Sequence, residues 1–196
     1  AFYKALGMML DSFLGSRGSI QGMRYRNERQ VDHIPCVNAL FKKESILSVG
    51  GFDETFGNIG EDQDLTYRMK CRKQVFMYIP DNPVIHKMRG DLVRWTKNMF
   101  VYGKGRMWLI RKHPAMMSLW FALPIALFFL LLASFGSEFC AGLFVLYLAV
   151  IFLVSARALV ADRDLNVFAT LFCLYICTHL AYGAGELYGL MIDRQK

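Results

Sequence analysis

From Pro114 to Ser137 the chain runs for 24 residues without a charged side chain, more than the roughly 20 apolar residues that cross a bilayer core. Phe139 to Ala156 is a second uncharged run, and Leu165 to Gly185 a third, interrupted by His179 and ending just before Glu186. Three transmembrane helices over residues 114–196 are the simplest expectation. The rest of the chain is built differently. Residues 1–113 hold 19 of the 23 Lys and Arg and 11 of the 16 Asp and Glu, so a basic soluble part precedes the apolar one.

Orientation follows from positive charge, because Lys and Arg beside a span tend to stay cytoplasmic. Arg94, Lys97, Lys104, Arg106, Arg111 and Lys112 precede the first run, and no such residue separates it from the second. Arg157 and Arg163 lie between the second and third runs, and Arg194 and Lys196 follow the third. The soluble part is expected on the cytoplasmic side. The chain opens Ala1-Phe2-Tyr3, with neither an initiator Met nor a signal-peptide pattern, so the protein's start is expected upstream.

A net charge of +7 raises the question of nucleic acid. The basic residues are scattered or gathered against the first run rather than interleaved with aromatics in a groove, and anionic lipid headgroups account for them better. Cys36, Cys71, Cys140, Cys173 and Cys177 form no paired spacing with histidines. That argues against zinc and, in a cytoplasmic part, against disulfides.

Within the soluble part, residues 1–30 read as a helix followed by a loop with Gly15, Gly18, Gly22, Arg24, Arg26 and Arg29. Val31 to Cys36 and Asn38 to Lys43 are predicted short extended segments, and Glu44 to Val49 a short helix ended by Gly50-Gly51. Glu61 to Lys73 reads as a helix, with Leu65 and Met69 at i,i+4 and Asp62 on that same apolar side. Val75 to Ile79 and Val84 to Met88 are β-like, and a long helix fits Asp91 to Lys112. Residues 1–90 thus carry an α/β pattern. Residues 91–113 read as an amphipathic interfacial helix, since Leu92, Trp95, Met99 and Tyr102 follow helical spacing while Lys97, Lys104 and Arg111 face headgroups.

The strongest local signal is Gly60-Glu61-Asp62-Gln63-Asp64-Leu65, an acidic cluster where a glycine-rich loop feeds a helix. Free amides and the helix dipole keep an acid there ionised and ready to accept a proton. Asp62, on the inward side, is the candidate base. Asp64 is expected only to pair with Arg68 at i,i+4. Although Asp62-Gln63-Asp64 spells Asp-x-Asp, two carboxylates two positions apart on a helix diverge by about 200° and suit a shared metal poorly.

The order Cys36-Val37-Asn38-Ala39-Leu40-Phe41-Lys42-Lys43-Glu44, then Val49-Gly50-Gly51-Phe52-Asp53-Glu54, then Gly60-Glu61-Asp62-Gln63-Asp64-Leu65-Thr66-Tyr67-Arg68 resembles the second half of a family 2 glycosyltransferase. The likeness extends through Arg94-Trp95, Tyr102-Gly103-Lys104-Gly105-Arg106 and the apolar runs, toward the succinoglycan-type enzymes that build bacterial surface polysaccharide on a lipid carrier. It implies the acceptor-side half of a GT-A domain followed by an all-α bundle of three membrane helices. It also implies inverting transfer from a nucleotide sugar to a polyprenyl-linked or glycan acceptor at the inner (plasma) membrane. Asp62 would be the catalytic base with Glu61 beside it, and Mg2+ or Mn2+ would offset charge on the leaving nucleoside diphosphate. The nucleotide-binding half, with its metal-holding Asp-x-Asp, would precede residue 1, so the chain alone is expected to lack donor binding. Where processive relatives carry Gln-x-x-Arg-Trp, this chain has Asp91-Leu92-Val93-Arg94-Trp95, which argues against a processive polymerase.

Arg94 and Trp95 offer a cation for phosphate and an aromatic face for a sugar, or else Trp95 only anchors its helix. Gly103 and Gly105 in a helix interior imply a break or close approach by another backbone or a ligand, and Arg106 beside them is a phosphate-binding candidate. His86 resembles a position from which some GT-A enzymes supply a metal ligand. His179, Tyr182 and Glu186 share a face of the third run, where ionisable groups are functional candidates. The rival of a different class is a non-catalytic membrane scaffold or interaction subunit whose acidic helix is merely well capped.

Overall fold

The structure, a computed structural model, describes residues 1–16, 25–84, 86 and 90–192. Its order is α1 (Phe2–Leu10), α2 (Phe13–Ser16), β1 (Arg29–Val31), α3 (Lys43–Ser48), α4 (Glu61–Cys71), β2 (Phe76–Tyr78) and α5 (Leu92–Lys112). Then come α6 (Ala122–Ala133), α7 (Glu138–Ser155), α8 (Arg157–Asp162) and α9 (Leu165–Met191). The predicted helices at 44–49, 61–73 and 91–112 thus appear within two residues of their expected ends. Ile85, Lys87 and Met88 of the β-like run at 84–88, and the tail charges Arg194 and Lys196, fall outside the described residues.

Two expectations need correction. Among the described residues, sheet is limited to one antiparallel ribbon of three-residue strands, Arg29 opposite Tyr78 and Val31 opposite Phe76, so the chain is mostly helical rather than α/β. Among the described residues no further strand is formed, and Cys36–Asn38, within the stretch that read as extended, winds into a 3-10 turn instead. The second correction concerns the first uncharged run, which does not form one long helix. Pro114–Met116 and Leu119–Phe121 are separate 3-10 turns, leaving α6 with 12 residues, about 18 Å of rise against the roughly 30 Å of a hydrocarbon core. Among the described residues, two stretches are long and apolar enough to cross a membrane, Glu138–Ala161 and Leu165–Met191. The first of them is largely bare, as Leu143, Val145, Leu146, Phe152 and Leu153 illustrate, and the second exposes Leu165, Leu190 and Met191, and this fits membrane association.

Two cores organise the chain. The smaller gathers Leu65 and Met69 of α4 and Phe76 of β2, with Val31, Ile34, Phe41, Ile46 and Val49 around them. The larger belongs to α9, whose Leu171, Leu174 and Tyr175 are fully buried against Ala5, Leu6 and Met9 of α1 and Trp95 and Met99 of α5. Asp91 caps α5 by accepting from the Arg94 amide at 2.7 Å. From there α5 runs along α9, and small residues set how closely. A Cβ at Gly185 would collide with the carbonyl of Phe100, and one at Gly103 with that of Tyr182. This is the small-residue contact through which helices approach closely in lipid, where packing rather than apolar burial drives association. The close approach predicted from Gly103 and Gly105 is therefore protein against protein.

Gly185→Leu is expected to destabilise the solubilised protein by at least about 1–3 kcal/mol, since the obstacle is backbone and cannot rotate away. Gly142→Ala meets nothing within 4 Å and should leave the unfolding temperature level or slightly higher. Thermal unfolding of the two variants in one detergent compares them directly.

Candidate functional site

Helix α4 begins at Gly60, whose φ of +83° is a left-handed conformation that costs glycine little. A Cβ there would come within 2.9 Å of Leu109 Cδ1, and one at Gly105 would collide with Ile59. The loop entering α4 is thereby seated on α5, which fixes where the first turn of α4 points. Glu61 and Asp62 on that turn are half-buried. Asp62 Oδ1 accepts from the Gln63 amide at 2.7 Å. Burial, reinforced by the charge of Asp62, raises the Glu61 carboxyl above the usual carboxylate range. Burial first, and then the charges of Asp62 and Glu61, push the Cys36 thiol up to about 11.

The fully inward acid of α4 is Asp64, not Asp62 as the helical spacing implied. Asp64 is 0% exposed. Arg68 donates to its Oδ2 from Nε at 2.9 Å, as the i,i+4 spacing predicted, and Lys112 at 2.5 Å and His113 at 2.7 Å both reach Oδ1. Periodicity could not reveal this, because both partners come from the far end of α5. The network spreads further. Arg68 also donates to the carbonyls of Val49 at 2.5 Å and Gly51 at 2.7 Å, and Lys112 donates to Asp53 Oδ2 at 2.7 Å. Burial opposes ionisation of Asp64, yet hydrogen bonds from Lys112, His113 and Arg68 outweigh it and hold the carboxyl below its ordinary value. Asp53 is likewise held low, its burial outweighed by hydrogen bonds from Lys112 and Thr55.

On the other side of α4 opens a cavity of about 1520 Å³. Its polar end is lined by Arg29, His33, Gln63, Thr66 and Arg106, and its apolar end by Met99, Leu123, Leu127 and Leu130, with Tyr147, His179 and Tyr182 along the wall. It therefore leads from the first turns of α4 into the space between α6 and α9. Arg106 donates to the Tyr182 hydroxyl at 3.3 Å, and its guanidinium lies 4.6 Å from the Phe121 ring centroid. His33 is the residue that sequence reading missed. Its Nδ1 is 2.7 Å from Thr66 Oγ1. Nothing in its sequence neighbourhood distinguishes it, since the contact joins residues 33 positions apart.

The remaining expected site residues lie elsewhere. Arg94 is exposed and pairs with Asp91 at 3.3 Å. Trp95 is 2% exposed, with its indole N–H donating to Thr178 at 2.8 Å, so its ring serves packing. Neither lines the cavity, and of the acidic turn it is Gln63, next to Asp62, that reaches the lining rather than Glu61 or Asp62 themselves. His86 is exposed. Among the described residues no three His, Cys, Asp or Glu converge as a metal site. Of the trio on α9, His179 bonds to the carbonyl of Leu14 at 2.9 Å and to the Tyr147 hydroxyl at 3.1 Å, while Glu186 is 0% exposed with neither carboxyl oxygen hydrogen-bonded.

Comparison with known proteins gives a likeness over part of the chain. It is 36% identical over 90 residues to the succinoglycan biosynthesis protein ExoA of Rhizobium meliloti (strain 1021), covering 45% of this chain and 27% of that protein. It is 33% identical over 84 residues to the pre-mycofactocin glycosyltransferase of Mycobacterium tuberculosis (strain ATCC 25618 / H37Rv), covering 43% of this chain and 18% of that protein. The match therefore spans about a quarter or less of these relatives' own length. No family model and no solved structure matches. The likenesses support a glycosyltransferase-like function, a transferase at the coarse level.

Because Asp53 and Asp64 have folded values below the unfolded one, their contribution to stability is complete above about pH 4 and is lost as pH falls through the folded values. The unfolding temperature should therefore hold from neutral pH down to about pH 4 and drop below it. Asp64→Asn leaves Arg68, Lys112 and His113 facing one another and is expected to cost about 3–5 kcal/mol at neutral pH. A pH series of thermal unfolding on both proteins should show the variant starting lower and losing less in acid.

Proposed function

We propose that the chain is the acceptor-side, membrane-embedded part of an inverting glycosyltransferase. It would move a sugar from a nucleotide-sugar donor to a polyprenyl-linked or polysaccharide acceptor in bacterial surface glycan synthesis, working on the cytoplasmic face of the inner membrane as a multi-pass protein. One observation carries the reading: the cavity that opens beside the acidic turn of α4 is cationic and polar at that end and apolar where it passes between α6 and α9. That profile suits an amphiphile with an anionic head and a hydrocarbon tail. Arg106 is the guanidinium suited to the phosphate, because a planar fork of donors matches phosphate oxygens.

In this reading Asp62 takes the proton from the acceptor hydroxyl as that oxygen attacks the anomeric carbon, while the bond to the departing diphosphate breaks on the opposite face. Glu61, its carboxyl raised by burial and by Asp62, lies alongside. A donor-binding half outside this chain agrees with the greater length of the relatives. It also agrees with the β ribbon, where Val75, Met77 and Ile79 alternate along one bare apolar face of the kind that further layers cover. Mg2+ or Mn2+ would be held by residues of that half and would neutralise the leaving diphosphate.

The test is transfer of labelled sugar from a panel of nucleotide sugars into membrane lipid and glycan by the full-length protein and its Asp62→Asn variant. Loss of the base should lower transfer by about 10²–10⁴-fold in a variant that still folds. Equal transfer by both removes Asp62 from the mechanism, and no transfer from any donor favours the scaffold.

A further inference from the structure

We infer that His33 binds the acceptor, its Nε2 accepting a hydrogen bond from a sugar hydroxyl next to the one that Asp62 deprotonates. The inference rests on the transferase reading above and adds to it a residue that selects the acceptor sugar.

The tautomer follows from counting hydrogens. Thr66 Oγ1 has a single proton, and the carbonyl oxygen of Asp62, one turn earlier on α4, receives it at 2.8 Å. At its 2.7 Å contact with His33 Nδ1, the hydroxyl must therefore act as acceptor, and His33 donates. A proton on Nδ1 leaves the lone pair on Nε2, and among the described residues no hydrogen bond reaches that atom. Burial and the charge of Arg106 together outweigh the opposing charge of Asp62 and keep the ring's proton affinity below that of a free imidazole. The ring is thus neutral at physiological pH, and Nε2 is an acceptor.

What such an atom can bind is set by its neighbours. His33 lines the polar end of the cavity together with Arg29, Gln63, Thr66 and Arg106. Arg29 and Arg106, with Asp32 in the lining already paired to Lys70, disfavour an ammonium there, and a lone pair disfavours phosphate oxygens, so the partner is a neutral donor, a hydroxyl. Asp62 and Thr66 lie at i,i+4, which puts their side chains about 5–6 Å apart on one side of α4. Because His33 is fastened to Thr66, the carboxylate and Nε2 can engage neighbouring hydroxyls of one pyranose. Arg106 is left for the phosphate. His33 so reads which sugar is presented, and Asp62 acts on it.

The experiment uses full-length protein in detergent, a labelled nucleotide sugar, and a panel of polyprenyl-diphosphate-linked monosaccharides with their monodeoxy analogues. His33→Ala is expected to raise the acceptor KM roughly tenfold, the ratio set by one hydrogen bond to an uncharged partner, with the donor KM unchanged. Gln carries an amide oxygen near the Nε2 position and Asn an amide nitrogen near Nδ1, so His33→Gln should recover the acceptor KM and His33→Asn should not. The deoxy acceptor lacking the bound hydroxyl should be a poorer substrate for wild type yet equal to its parent for His33→Ala. Recovery by Asn and not by Gln would mean that His33 only steadies α4 through Thr66, and would overturn the inference. So would an unchanged acceptor KM in His33→Ala. A wild-type protein that transfers to none of the panel would instead sink the transferase reading, which separates the two failures.

Discussion

The buried carboxylate of Asp64 joins the parts of this chain. Removed from water, it is tolerable only because Arg68, Lys112 and His113 surround it, and each of those side chains is also an anchor. Arg68 ties the loop at Val49 and Gly51 to α4, and Lys112 draws in Asp53. His113 stacks beside Tyr67, their ring centroids 4.4 Å apart, immediately before Pro114 starts the apolar part. The acidic turn of α4 is thereby held against the end of α5. Such a network constrains geometry more than it adds net stability, since desolvation offsets much of the attraction. Its consequence is registration: the half-buried Glu61 and Asp62 keep a fixed height relative to the helices that follow.

A second constraint works by absence of side chains. Gly103 and Gly185 let α5 and α9 touch along their backbones, while Gly60 and Gly105 let the loop before α4 lie on α5. One surface of α5 thus receives the soluble elements and another receives α9. Arg106 emerges between the two, reaching Tyr182 of α9 and stacking on Phe121. The cavity exists because α4, α5, α6 and α9 are held apart on that side while being closed by charge and by glycine contact on the other.

Much of this was legible in the sequence. Helices α3, α4 and α5 follow from the Gly50-Gly51 stop, from apolar spacing that local periodicity records faithfully, and from the Asp91 cap. The Asp64–Arg68 pair was equally local. What sequence could not supply was any partner from a distance: Lys112 and His113 for Asp64, Thr178 for Trp95, Thr66 for His33. Trp95 illustrates the cost. Its spacing on α5 was right, but an aromatic on an amphipathic face looks the same whether it meets lipid, sugar or another helix. The first apolar run misled for a related reason, because hydropathy counts residues and ignores breaks. Pro114 and the turns at 114–121 consume its first third, leaving a helix too short to match the other two.

The position of His33 gains force from these constraints together. Hydrogen-bonding groups on loops are ordinarily imprecise, and His33 lies just beyond the end of β1, outside regular structure. Here its ring is bonded to a threonine whose own proton is committed within α4, and α4 is locked by Asp64 to α5. The imprecision of a loop is removed by attaching it to the helix that carries the acid. In the proposed mechanism the carboxylate of Asp62 and Nε2 of His33 share this one support and so keep their relative position. That is the requirement for choosing a single hydroxyl on a ring that offers several chemically similar ones.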